Sequence, residues 1–267
     1  MPLTPLQRIV IELLRPFRSA HDFVGGGAAL NQRWPRLSDD MDIFHDRRAR
    51  LPRDVQAEIA VLQAAGFSTE VTTESEWMVE VILRRFGEET KVQWLDEPET
   101  CRRFFPCVED DELGFRLHQA DVAVNKVLCA SRRNRAARDA VDLYLIEKRY
   151  APLGAMVWAL TGKDGTQAPP EILRNLRTNL FGYGEQEIEA VRMEAGFQLS
   201  WRDLRKELDQ AIGLAYDYCD SVAPSEFAGH LFIDDEEIPR AASREDVTSG
   251  RVRAIDLRDF SVIPKFS

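Results

Sequence analysis

Apolar residues recur at intervals of three and four over residues 6–18 (Leu6, Ile9, Val10, Leu13, Leu14, Phe17), which predicts an amphipathic helix near the start of the chain. The segment "DFVGGG" then reads as a short strand running into a turn, "AALNQR" as the opening of a helix, and "MDIFHD" as a strand with alternating apolar and polar positions. Helical spacing returns over residues 54–65, where Gly66 supplies a stop. Three strand candidates follow, "FSTEVTTE", "WMVEVILRRF" and "TKVQWL", the last two joined by a tight hairpin at "GEE". Together these predict a mixed sheet with a few helices over residues 1–112.

The period changes from about residue 117. The segments "LHQADVAVNKVLCAS", "ARDAVDLYLIEKRY", "PLGAMVWALTG", "PEILRNLRTNLF", "EQEIEAVRMEA" and "SWRDLRKELDQAIGLAYDYCDSV" are all helical in spacing. A helical domain over 113–222 is therefore expected after the sheet. A C-terminal extension over 223–267 carries two short strand candidates, "HLFID" and "VRAIDL", around a polar stretch, and is expected to be either ordered on the body or partly mobile. The fold class is α+β.

Composition narrows the function classes. With 44% hydrophobic and 30% charged residues the chain reads as an ordinary globular protein. No apolar run approaches the roughly 20 residues of a membrane span, and the first residues lack the pattern of a signal peptide, so a cytoplasmic protein with no membrane partner is expected. The cysteines (Cys101, Cys107, Cys129, Cys219) show no CxxC or Cys/His ligand spacing and read as free thiols, without zinc. The formal charge of −10 opposes broad attraction to nucleic acid, so any such contact must be local. One stretch qualifies: residues 122–138 carry Lys126, Arg132, Arg133, Arg135 and Arg138 and no acid, as a phosphate-facing patch or a solvated helix edge.

The candidate chemistry lies earlier. Glycines 25–27 between a strand and a helix allow backbone to approach a ligand, and unpaired amides there would favour a phosphate. On the following strand Asp40 and Asp42 share a face, about 6 to 7 Å apart at roughly 3.3 Å per residue. Carboxylates so placed repel one another unless a cation lies between them, and Mg²⁺ prefers one or two carboxylates completed by substrate phosphates. His45 follows closely enough to line the same cleft.

"GGAAL" (26–30) followed by "RLSDDMDIF" (36–44) resembles the first motif of the nucleotidyltransferase superfamily, a glycine turn followed by Asp-x-Asp on a strand. More narrowly it resembles the AbiEii/AbiGii toxin branch, type IV toxin-antitoxin nucleotidyltransferase-like proteins with a GGxAL and R-x-S-x-D-x-D pattern. Residues 117–146, "LHQADVAVNKVLCASRRNRAARDAVDLYLI", are similar to that branch's Lys-bearing helix and Arg-Asp-x-x-Asp-Leu helix. The resemblance implies a polymerase β-like mixed sheet followed by a helical domain. It implies that Asp40 and Asp42 hold Mg²⁺ or Mn²⁺, that Gly26, Gly27, Ser38, Lys126 and Arg138 bind nucleotide, and that Asp139 and Asp142 join the catalytic set. The activity implied is transfer of a nucleoside monophosphate from an NTP to an acceptor hydroxyl, by a toxin acting on tRNA or other RNA and paired with an antitoxin. The alternatives are an aminoglycoside-type small-molecule acceptor and a non-catalytic nucleotide-binding module. One departure stands out. Where many such enzymes carry a third carboxylate on a later strand, this chain has Gln93, which cannot accept a proton as a carboxylate does. Either Glu80, Asp96 or an acid of the Arg-Asp-x-x-Asp helix takes that role, or the site is slow or silent.

Overall fold

A computed structural model describes residues 3–46, 51–96, 98–132 and 136–260. The chain divides into two compact units: one runs to Val122 and takes in Asp259 and Phe260, and the other is Ala123–Arg258. Among the described residues no helix is long and apolar enough to cross a membrane.

In the first unit, helix α1 (Pro5–Leu14) opens with a capping box. The Thr4 hydroxyl accepts from the Gln7 amide, and the Thr4 amide donates to the Gln7 side chain at 2.9 Å. The helical spacing extends to residue 18, but Pro16 has no amide to donate, and Arg15–Phe17 tighten into a 3₁₀ turn. Strand β1 (Asp22–Val24), helix α2 (Gly26–Leu30), strand β2 (Asp40–His45) and helix α3 (Leu51–Ala64) follow, and a left-handed Gly66 ends α3. Next come β3 (Ser68–Glu74), β4 (Met78–Arg85) and β5 (Glu88–Leu95). The β4–β5 turn is Phe86–Gly87, both with positive φ (57° and 78°), the two-residue geometry that matches strand twist. Short elements α4 (Pro98–Cys101), β6 (Arg102–Arg103), β7 (Val108–Asp110) and β8 (Gly114–Arg116) complete the unit.

Seven strands form one sheet in the order β3-β4-β5-β2-β1-β8-β7. The β2–β5 and β1–β8 pairs are parallel and the others antiparallel, so the sheet is mixed, as expected. Because β8 pairs with β1, the sheet unit continues past residue 112, where the sequence shows no strand period over such short segments. One sheet face (Met41, Ile43, Val79, Val81, Leu83, Val92, Trp94) packs on α1 and α3 residues such as Val10, Leu14, Val55 and Leu62. Beneath it Trp94 donates to buried Glu58 at 2.9 Å, and Glu58 also pairs with Arg18.

The second unit is helical, and the division falls within α5 (Gln119–Arg132). It continues with α6 (Ala137–Arg149), α7 (Leu153–Lys163), α8 (Pro169–Leu180), α9 (Glu185–Glu189) and α10 (Trp201–Asp217). Helix α7 is apolar nearly all round and buried from Leu153 to Leu160, which makes it the central helix of the unit. The helix expected over 185–195 stops at Glu189. Only Ile188 of α9 is buried, so no apolar stripe holds further turns in place. Residues 223–258 are packed on this unit through β9 (Leu231–Ile233), α11 (Arg244–Thr248) and β10 (Arg253–Ile255). Phe232, Ala242 and Val252 share a core with Trp158 and Tyr218.

Candidate functional site

Strand alternation sends Asp40 and Asp42 to the face of β2 away from the α1 and α3 core, since Met41 and Ile43 fill that core. Across the parallel pairing Asp40 stands opposite Lys91 and Asp42 opposite Gln93. One strand further, Gln93 stands opposite Glu80. The register thus lays two carboxylates, an ammonium, an amide and a third carboxylate side by side.

The glycine turn is fitted to this face. Gly26 has φ of +56°, and a Cβ built on it would overlap the Asp42 carboxylate. A Cβ on Gly27 would meet the Arg36 guanidinium and, at 2.8 Å, the Ser38 hydroxyl. The Gly25 amide donates to Asp42 O at 2.9 Å, which clamps the turn to the acid strand. Ser38 is fully buried and its hydroxyl donates to Asp40 O at 2.8 Å, while Gln7 of α1 donates to Ser38 O at 3.1 Å. Ser38 therefore positions the backbone that carries Asp40. His45 occupies the other face of β2 by alternation and is buried against Asp22, 2.6 Å from its carboxylate.

Glu80 accepts from the Thr72 hydroxyl at 2.7 Å and from the Gln93 amide at 2.6 Å, and its carboxylate lies 3.2 Å from Lys91 Nζ. The Thr72 hydroxyl, with Lys91 and Gln93, holds its carboxyl below the usual glutamate value against a smaller opposing effect of burial. A carboxylate engaged by three donors is a weak proton acceptor, so Glu80 is a poor replacement for the missing third acid. Asp96 is buried at the end of β5. Lys91, which the sequence reading did not single out, also stands 3.9 Å from Asp40. Its position follows from the parallel register of β2 and β5, which the alternation of "TKVQWL" alone does not reveal.

The face suits a hard divalent ion in part. Asp40 and Asp42 offer oxygen donors, and the amide group that Gln93 gives to Glu80 leaves its carbonyl oxygen as the remaining acceptor. Among the described residues no group of three or more His, Cys, Asp or Glu side chains has the geometry to hold a metal. A Mg²⁺ here would take its other ligands from substrate phosphates and water.

In the second unit, Lys126 of α5 is buried, with Nζ 2.8 Å from Asp142 and 3.8 Å from Asp139. The two acids lie three apart on α6 and so share a helix face. Among the described residues neither Asp139 oxygen accepts a hydrogen bond, although the residue is 1% exposed. Its charge is matched by the Lys126 ammonium at 3.8 Å rather than by a hydrogen bond. Arg138 is half-buried on the same helix. Of the basic stretch, Arg132 is exposed and pairs with Asp164 at 2.9 Å; Arg133 and Arg135 lie outside the described residues. The structure thus groups Asp40, Asp42, Gly26, Gly27 and Ser38 in one unit, and Lys126, Asp139 and Asp142, with Arg138 beside them, in the other.

No protein-family model matches the chain, and no curated protein sequence matches it. Its architecture is similar to a crystal structure from H. pylori provisionally assigned as a nucleotidyltransferase, with a TM-score of 0.50 and 15% identity over 80% of this chain and 93% of that one. The nucleotidyltransferase toxin MenT4 of Mycobacterium tuberculosis H37Rv gives a TM-score of 0.49 and 15% identity over 83% of each chain. At this identity the first likeness speaks for the fold, and the chain has an α+β nucleotidyltransferase fold with a mixed sheet and a helical second unit.

Proposed function

We propose that the chain is a metal-dependent nucleotidyltransferase that moves a nucleoside monophosphate from an NTP to an acceptor hydroxyl. The observation that carries this reading is the Gly26 turn seated against the Asp42 carboxylate, with Asp40 on the same strand face. That arrangement sets backbone amides beside two hard oxygen ligands, as a triphosphate and its metal require. Mg²⁺ or Mn²⁺ bound with the triphosphate would neutralise charge on the leaving pyrophosphate. Asp40 and Asp42 would hold that ion, and the Gly26–Gly27 backbone would admit the phosphates where side chains would clash. Within the helical unit, the resemblance assigns Lys126 to nucleotide phosphate and Asp139 and Asp142 to the catalytic set, and the three side chains stand together there. The nucleotidyltransferase assignment of the H. pylori protein supports the activity. The narrower reading, an AbiEii/AbiGii-type toxin with tRNA or other RNA as acceptor and an antitoxin as partner, rests on the sequence motifs.

A second reading, a nucleotide-binding module without turnover, is favoured by Gln93 and by Lys91, whose ammonium lies close to Asp40. The test is incubation with each labelled NTP, Mg²⁺ or Mn²⁺ and total tRNA, beside Asp40→Asn/Asp42→Asn. The expected result is label entering RNA with one base preferred, reduced by about a thousandfold or more in the double variant. Metal-dependent nucleotide binding with no transfer to RNA or to hydroxylated small molecules would establish the second reading.

A further inference from the structure

We propose that the groove between α8 and α10 binds single-stranded RNA through its phosphates and one stacked base. This deepens the reading of the chain as an RNA-directed nucleotidyltransferase and rests on it for the identity of the nucleic acid. The groove encloses about 630 Å³ and is lined by Arg177, Phe181, Trp201, Arg202, Arg205, Lys206 and Asp209, all within the helical unit.

Four cations against one acid give the lining a positive balance in a chain whose formal charge is −10. The basic stretch at residues 122–138 lies elsewhere in the chain. Three of the groove's cations, Arg202, Arg205 and Lys206, lie on α10, and helix packing adds Arg177 of α8. Arg202 and Lys206 lie one turn apart on α10, about 6 Å at roughly 1.5 Å per residue, a spacing on the scale of one nucleotide step. Arg202, Arg205 and Lys206 are exposed, and Arg177 is exposed while paired with Asp209 at 2.5 Å. Two further acids lie close by in sequence: Asp203, in the first turn of α10, whose amide donates to the Ser200 cap, and Glu207, which is paired with Lys148 at 2.6 Å.

The aromatic component separates a nucleic-acid groove from a merely cationic face. The Arg205 guanidinium lies 5.4 Å from the Trp201 ring centre and 5.3 Å from that of Phe181. Two rings thus hold a planar cation at the surface, and purine or pyrimidine bases stack on guanidinium planes as well as on rings. An acidic peptide would use the cations and gain nothing from the planar stack. Bases interleaved with phosphates would use both.

The test is fluorescence anisotropy of the full chain with an unstructured single-stranded RNA at two salt concentrations, without NTP. Arg202→Glu/Lys206→Glu is expected to weaken binding at least tenfold and to flatten its salt dependence. Arg205→Lys, which keeps the charge and removes the plane, is expected to weaken it at least threefold. A charge reversal on the β4–β5 hairpin, Arg84→Glu, should leave RNA binding unchanged. Circular dichroism checks that each variant is folded. RNA binding indifferent to Arg202→Glu/Lys206→Glu, polyglutamate competing as strongly as RNA, or an Arg205→Lys variant with full affinity would overturn the proposal. Transfer to a small-molecule acceptor with no RNA binding would overturn it while leaving nucleotidyl transfer intact. RNA binding at the groove without transfer would uphold it and remove the catalytic reading alone.

Discussion

Lys126 is held at 2.8 Å by Asp142 and at 3.8 Å by Asp139, in a buried setting where charges are tolerated only when matched. Removing one partner strands the other. Asp142→Leu alone is expected to destabilise the protein by about 3 to 5 kcal/mol, whereas Lys126→Met/Asp142→Leu should cost markedly less than the sum of its single changes. Urea titrations of the wild type, both singles and the double measure the coupling, and an additive cycle would show that the pair is not a unit. The acids were visible as "RDAVD" and the lysine as part of a basic stretch. That stretch reads equally as a phosphate-facing patch or a solvated helix edge, and only packing reveals that Lys126 is buried against both acids. Ser38 illustrates the opposite case: its place in the motif suggests nucleotide contact, while its hydroxyl is spent on Asp40 O.

At the scale of elements, the β2, β5 and β4 strands bring Asp42, Gln93 and Glu80 into one row, with Asp40 and Lys91 in the next. Glu80 has a folded pKa below its ordinary value of 4.5, chiefly through the Thr72 hydroxyl. A depressed carboxylate stabilises the folded state above its unfolded pKa, and that contribution is lost as pH falls through the folded value. Stability should therefore decline more steeply with acidification below about pH 4.5 in the wild type than in Glu80→Gln. Chemical denaturation across that range measures both slopes, and equal slopes would dismiss the Thr72–Glu80–Lys91 contacts as energetically idle. The strands themselves were legible from alternation and the β4–β5 turn from its glycine. Which strands pair, and in which direction, was not, because a strand's side-chain period is the same whatever its neighbour.

For the whole molecule, the far end of the chain returns to the sheet unit. The Phe260 amide donates to Cys101 O at 2.8 Å, and its ring lies 4.4 Å from the Arg103 guanidinium, which also stacks on Phe23 and forks onto Asp46 at 2.9 Å. Phe260→Ala is expected to lower stability by about 1 to 2 kcal/mol, read from the urea midpoint, through loss of a partly desolvated cation–π contact and its buried area. An unchanged midpoint would mean that Phe260 adds nothing to the hold that Asp46, Phe23 and the backbone have on Arg103. The formal charge of −10 sets a repulsive background for any polyanion, against which the α8–α10 groove is a local exception.

By itself the sequence determined the order and kind of most elements, the change from sheet to helices, and the short-range chemistry of the site: the glycine turn, the paired aspartates of β2 and the paired aspartates of α6. These are fixed by neighbours within a few residues, through φ preference, side-chain period and helix spacing. Tertiary structure alone decided that Lys91 and Glu80 stand beside Asp40 and Gln93, that Lys126 is buried between Asp139 and Asp142, that residues 223–258 pack as part of the helical unit, and that Arg177 and Phe181 join α10 in a basic groove. Each of those depends on strand register or helix packing between residues far apart in the chain, where local propensity carries no information.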